Sequence, residues 1–243
     1  MSPEDALRPA INYYNAVVNV DIREVDGVNR STERAKTLMK SYARFQGTQT
    51  PLAQIVADIN GADFPSLDEK TARNYLDALQ SMFVIEDAPA WNPNLKSKTA
   101  IRSTNTRYFV DPSIATASLG IGPNDLINDL KCFGLIFETL CIRDLRVYSQ
   151  PLGGTVYHYR DKNGLECDAV VHLPNGDYGL VEIKLGGSEK IDEGAENLLR
   201  LAEKIDTSRM KDPAFMMVLT AVGPLAYRRK DNVMVVPISA LGE

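Results

Sequence analysis

Apolar positions in the first third of the chain recur at helical spacing. From Ser31, the residues Ala35, Leu38, Met39, Tyr42 and Ala43 fall on one face, and Gly47 ends the pattern. Thr50 as N-cap and Pro51 as first helical residue open a shorter helix, whose inward stripe of Leu52, Ile55, Val56 and Ile59 stops before Gly61. Ser66 and Glu69 have capping-box spacing, after which Ala72, Tyr75, Leu76, Leu79, Met82 and Phe83 make a continuous apolar face. Opposite it lie Lys70, Arg73, Asn74, Asp77 and Gln80, a polar surface that suits a nucleic-acid groove and equally suits solvent. Phe83 to Ile85 and Arg107 to Val110 read as two strands separated by a polar segment holding Lys96, Lys98 and Arg102. Three helices followed by a β-ribbon is the order of a winged helix-turn-helix domain. The stretch from Lys96 to Arg107 has no acidic residue, so as a wing it would lie against a phosphate backbone; otherwise it is a mobile loop.

The period then changes. Asn124 can cap a long helix that points Leu126, Ile127, Leu130, Phe133, Phe137, Leu140 and Cys141 inward, with Glu138 at the edge of that face. Alone, Glu138 reads equally as a surface partner of Arg143 or Arg146. Residues Glu166 to Leu173 alternate as a strand, with Glu166, Asp168, Val170 and His172 on one side; Tyr178, Leu180, Glu182 and Lys184 likewise share a face of the next strand. Between them Leu173-Pro174-Asn175-Gly176-Asp177 has the chemistry of a three-residue hairpin loop with a bulge at glycine. Pairing Leu173 with Asp177 and counting back sets Asp168 against Glu182, side chains on one face. Two carboxylates that close raise one another's pKa unless a cation intervenes, which suits Mg²⁺, or Mn²⁺ in its place. Lys184, two residues on, can orient water or stabilise charge on a phosphate. An ion triad of Asp168, Glu182 and Lys184 without metal is the other reading. If the Lys162-Asn163-Gly164 turn also holds three residues, His158 opposes Asp168 and Arg160 opposes Glu166, as support for the site or as plain cross-strand pairs. Ile191, Ala195, Leu198, Leu199, Ala202 and Ile205 form an amphipathic crossover helix into the buried strand Phe215 to Thr220, and a last strand runs from Val233 to Pro237 after the basic turn Arg228-Arg229-Lys230.

Composition narrows the classes. A chain of 243 residues with 44% hydrophobic content can bury two cores. The expected division is a linker or N-terminal helix over 1–30, a winged-helix domain over 31–118 and an αβ domain over 119–243. The net charge of −5 argues against a protein coated for non-specific DNA binding, leaving only local basic faces. There is no apolar run of about 18 residues and no signal-peptide pattern at the start, so a cytoplasmic protein without membrane contact is expected. Cys132, Cys141 and Cys167 lack metal-ligand spacing and read as reduced packing residues. No GxxxxGK[ST] string is present, so ATP hydrolysis by this chain is not expected.

The strings Tyr157-His158-Tyr159-Arg160, Glu166-Cys167-Asp168 and Val181-Glu182-Ile183-Lys184, after Phe133-Gly134 and Phe137-Glu138, resemble the C-terminal domain of a large prokaryotic family of P-loop AAA+-type ATPases. The resemblance extends upstream through Thr71-Ala72-Arg73-Asn74-Tyr75-Leu76, Lys98 and Tyr108-Phe109-Val110-Asp111-Pro112. It implies a winged helix followed by a PD-(D/E)XK, restriction-endonuclease-like domain with Glu138, Asp168, Glu182 and Lys184 as the candidate catalytic set. From the strand register Asp168 and Glu182 are the expected metal ligands; DNA is the expected partner, and the resemblance adds an ATPase domain. In that family the ATPase domain precedes these parts, and its P-loop is not in this sequence.

Overall fold

The computed structural model describes residues 3–61 and 66–242. The chain divides into two compact units, Met1–Asp87 with Thr106–Thr139, and Ala88–Asn105 with Leu140–Glu243. These are not the divisions expected from the sequence, because a segment from the middle of the first half joins the second unit.

The first unit is helical. It holds α1 (Pro3–Ala16), a π-helical turn (Val17–Asp21), α2 (Ile22–Glu24), α3 (Thr32–Arg44), α4 (Leu52–Asn60), α5 (Glu69–Ser81), α6 (Pro112–Leu119), α7 (Pro123–Asn128) and the start of α8 (Leu130–Ser149). α1 is the N-terminal helix, one of the two expectations for this stretch, and Val17, Val18 and Ile22 after it are buried in one core with Leu38, Tyr42, Ile55 and Leu79, so the stretch is not a linker. Arg30 reinforces this: its guanidinium is buried, donates to both oxygens of Asp26 at 2.6 and 2.7 Å, and reaches the Ile22 carbonyl and Asn74 Oδ1. The expected start of α5 is corrected. Asn60 grips both backbone groups of Leu67, keeping the chain extended as far as Asp68, whose Oδ1 accepts from Thr71 N–H at 2.8 Å and caps the helix in place of Ser66. α4 likewise begins one residue late, with Pro51 as its cap. Phe83 leaves the apolar face altogether, at φ 57° and 76% exposed.

The expected wing is also corrected. Ile85 and Phe109 form a single antiparallel bridge, flanked by bonds from Glu86 N–H to the Tyr108 carbonyl and from Val110 N–H to the Val84 carbonyl. Residues 88–105 instead pack in the second unit, because Trp91 finds an aromatic pocket there against Tyr159 and Tyr178. The helix expected from Asn124 is broken at Asp129 (φ −128°, ψ 82°), whose Oδ1 caps the new helix by accepting from Cys132 N–H. Ile127 and Leu130, expected inside, are exposed at that break.

The second unit is a six-stranded mixed sheet in the order β1-β2-β3-β4-β6-β5. Its strands are β1 (Thr155–Arg160), β2 (Glu166–His172), β3 (Tyr178–Lys184), β4 (Phe215–Thr220), β5 (Tyr227–Arg228) and β6 (Met234–Pro237). β1, β2 and β3 pair antiparallel, whereas β3, β4 and β6 run parallel. The crossover helix α9 (Ser188–Lys204) joins β3 to β4 and buries Ala195, Leu198 and Leu201 against Val170, Leu180 and Val218. Parallel neighbours need such a crossover, and the apolar stripe of α9 is what covers the sheet. The polar backbone edge of β1 is taken up by the 88–105 segment: Ala90 bridges to His158, Ile101 to Asp161, and Arg102 N–H donates to the Arg160 carbonyl.

Candidate functional site

The hairpin between β2 and β3 sets the geometry. Gly176 takes the left-handed conformation at φ 84°, and Leu173 N–H donates to the Asp177 carbonyl at 2.8 Å. From that turn the pairs run His172 with Tyr178, Val171 with Gly179, Val170 with Leu180 and Ala169 with Val181. The same register sets Asp168 against Glu182. There the backbone ladder gives way to the side chain: Ile183 N–H donates to Asp168 Oδ2 at 2.7 Å. On the other edge of β2 the register slips, since Tyr157 pairs with Val170 and Tyr159 with Cys167, so Asp168 and Ala169 together face His158. Such a bulge re-aims a side chain without disturbing the strand beyond it.

Asp168, Glu182 and Lys184 come together on this framework. Lys184 Nζ donates to Glu182 Oε2 at 2.6 Å and lies 3.5 Å from Asp168 Oδ2. The Glu182 side chain is 2% exposed, whereas Asp168 and Lys184 keep 21% and 22%. Burial works to lower the Lys184 pKa, but the charges of Asp168 and Glu182 and their hydrogen bonds outweigh it and hold the ammonium above the ordinary lysine range. Cys167 is buried beneath them, its thiol pushed well up by burial and then by the Glu182 and Asp168 charges. That is the chemistry of an inert packing thiol, and all three cysteines are free. Both hydrogen bonds that Asp168 accepts fall on Oδ2. No group of three His, Cys, Asp or Glu side chains is close enough to hold a metal ion among the described residues.

The remaining expected residues fall partly in the first unit and partly in the second. Glu138 belongs to the first unit, where its Oε1 accepts a hydrogen bond from the Tyr108 hydroxyl at 2.5 Å. His158 is buried; its Nε2 donates to the Thr104 carbonyl at 3.0 Å, and burial lowers its pKa. Arg160 opposes Glu166 as expected and pairs with it at 3.0 Å. Lys70 and Arg73 are exposed on α5, but Asn74 Oδ1 is committed to Arg30 Nε at 2.9 Å. Lys96, Lys98 and Arg102 stand exposed on the second unit, with Lys96 Nζ donating to the Glu203 carbonyl.

Sequence reasoning passed over Gly194. A Cβ at this position of α9 would lie 3.3 Å from Glu182 Cβ, 3.4 Å from Val218 Cγ2 and 3.5 Å from Lys184 Cε. The missing side chain lets the helix sit close enough to seal Glu182 from water. Its signal was available, because glycine inside a strong helix costs about 1 kcal/mol against alanine and so marks a close approach.

A family model described as a domain of unknown function (DUF8612) matches residues 2–125, and a second, also a domain of unknown function (DUF4143), matches residues 133–241. Two relatives described as uncharacterized proteins, one from Mycobacterium bovis and one from Mycobacterium tuberculosis, are each 23% identical over 198 residues, 82% of this chain and 42% of theirs. The chain therefore spans less than half the length of the curated relatives it matches. The first model covers just over half of the residues, and the chain belongs to the DUF8612 family.

Proposed function

We propose that the second unit is a PD-(D/E)XK nuclease-like phosphodiesterase module that acts on DNA with a divalent metal. The observation that carries this reading is the convergence of Asp168, Glu182 and Lys184 across two paired strands, with the ammonium within 3.5 Å of both carboxylates. The donor set fits the metal. Two carboxylates are what Mg²⁺ or Mn²⁺ commonly takes from a protein, water completing the shell, and Asp168 Oδ1 is not spent on a hydrogen bond among the described residues. Asp168 and Glu182 would hold the ion, which supplies charge stabilisation to the phosphate and lowers the pKa of bound water. Lys184 would turn from the carboxylates to orient the attacking water and meet charge developing on the phosphate. The first unit, read as a DNA-binding helical domain, offers Lys70 and Arg73 on α5 for phosphate contacts, and the second unit separately exposes Lys98 and Arg102. The resemblance to ATPase C-terminal regions supports an AAA+-type ATPase domain as partner, and the greater length of the relatives leaves room for one.

One observation favours a second reading. Lys184 already pairs with both carboxylates, and no third ligating side chain joins them among the described residues, as in a catalytically silent module that docks an ATPase onto DNA or protein. Incubation with supercoiled and linear DNA in Mg²⁺ or Mn²⁺ separates the two. The nuclease reading expects metal-dependent cutting by the wild type that disappears in Asp168→Asn. No cutting by the wild type, or equal cutting by both, selects the binding module.

A further inference from the structure

One buried polar group, on the strand position paired with Lys184, has no hydrogen-bond partner among the described residues. Thr220 ends β4 and pairs directly with Lys184 of β3, so both side chains emerge on the same face of the sheet. That face is the one covered by α9, because Gly194 lies against Lys184 Cε. Thr220 is 1% exposed, and its Oγ1 makes no hydrogen bond among the described residues. Leaving a buried hydroxyl unpaired costs about 1–3 kcal/mol, which a valine of the same shape would avoid.

A second feature sits at the same end of the sheet. The chain leaves Lys184 through Leu185 and turns on Gly186 and Gly187, at φ 140° and 87°, straight into α9. No side chain caps this helix, and the first intrahelical bond is the one from Ile191 N–H to the Gly187 carbonyl. Among the described residues the N–H groups of Ser188, Glu189 and Lys190 are therefore unspent, at the positive end of a 17-residue helix. The carboxylates of this part of α9 face outward, and Asp192 and Glu193 are held by Arg229 and Lys190. In sheets with parallel strands, ligands collect where the carboxyl ends of neighbouring strands meet a helix N-terminus.

We propose that the Thr220 hydroxyl, the first-turn amides of α9 and Lys184 form a cradle for one tetrahedral oxyanion, a phosphate group of the nucleic acid. The hydroxyl donates to a non-bridging oxygen, the amides donate to a second, and the ammonium offsets the charge. Because Thr220 is shielded from solvent, the oxygen reaches it as the Gly186-Gly187 turn shifts, a motion that two residues without side chains permit. This assignment rests on the nuclease-like reading for the identity of the phosphate, but not for its existence.

Inorganic phosphate, and separately a DNA dinucleotide with one phosphodiester, are titrated into the full chain with and without Mg²⁺ while the amide resonances of Ser188 to Ile191 are followed. The expected result is saturable shifts at Ser188 and Glu189 in the wild type, kept in Thr220→Ser and weakened about tenfold or more in Thr220→Val, whose melting temperature is no lower than wild type. Tighter binding of the dinucleotide assigns the cradle to an internal phosphodiester, and tighter binding of inorganic phosphate to a terminal phosphate. Absence of saturable shifts with either probe, or shifts that Thr220→Val leaves unchanged, overturns the cradle. No turnover is involved, so a chain that binds phosphate through Thr220 yet never cuts DNA refutes the nuclease reading alone. A chain that cuts DNA without Thr220-dependent phosphate binding refutes the cradle alone.

Discussion

Lys184 is both a functional group and the counter-ion that makes Glu182 tolerable. The Glu182 carboxylate, sealed to 2% exposure, has an ammonium 2.6 Å away. Removing one partner of such a pair leaves an uncompensated buried charge, costing about 3–5 kcal/mol, whereas removing both returns much of the loss. Lys184→Ala should therefore lower the unfolding free energy by about that amount, and Glu182→Gln with Lys184→Ala should recover most of it, as read from urea midpoints at constant m-value. If Lys184→Ala instead unfolds like the wild type, Glu182 is reached by water or is protonated, and the description of a sealed ion pair fails. The same argument makes Asp168→Asn the better variant for activity, since Asp168 is one-fifth exposed and its amide replacement keeps an oxygen for Ile183 N–H.

Among the elements, the segment 88–105 matters most for how the second unit holds together. It lies along β1 and sends in Trp91, which is 5% exposed and meets the rings of Tyr159 and Tyr178. Truncating a buried tryptophan costs about 3–5 kcal/mol, so Trp91→Ala should release the segment, with faster amide exchange at Arg102 and His158 and new protease cuts between 88 and 105. Unchanged exchange at those amides would mean that the backbone bridges alone hold it. This segment also marks where the sequence stops being legible. The β2–β3 register could be counted from Leu173-Pro174-Asn175-Gly176-Asp177 because a hairpin turn is local chemistry. Likewise α3, α4, α5 and α9 followed from their apolar stripes, although α4 and α5 are capped at Pro51 and Asp68 instead of the expected Thr50 and Ser66. Lys96, Lys98 and Arg102 were read as a wing because neighbouring strands usually pair with each other, and nothing local to them announces a tryptophan pocket built from residues near 159 and 178. The break at Asp129 was hidden for a related reason, since Asp fits a helix surface as well as it caps one. The role of Gly194 depends on a strand twelve residues upstream, which periodicity alone does not bring near.

At the scale of the molecule, each compact unit is made from two stretches of chain, and the stretches interleave. A cut placed by sequence domains, between 118 and 119, would leave the sheet without Trp91 and would expose the hydrogen-bonding edge of β1 that Ala90 and Arg102 now occupy. It would leave the pair of Lys204 with the buried Asp161 in place, but would remove the bonds that tie the segment to the end of α9, from Lys96 N–H to the Lys204 carbonyl and from Asp206 N–H to the Asn94 carbonyl. A fragment spanning 140–243 should consequently melt earlier than the full chain and aggregate through its open edge, whereas the same fragment with residues 88–105 joined to it by a flexible linker should regain cooperative melting. Thermal unfolding followed by circular dichroism, with light scattering for the aggregate, reads both effects. Equal melting of the two fragments would mean that the sheet and α9 carry the unit's stability unaided, and that the 88–105 segment is ordered by the unit without stabilising it in return.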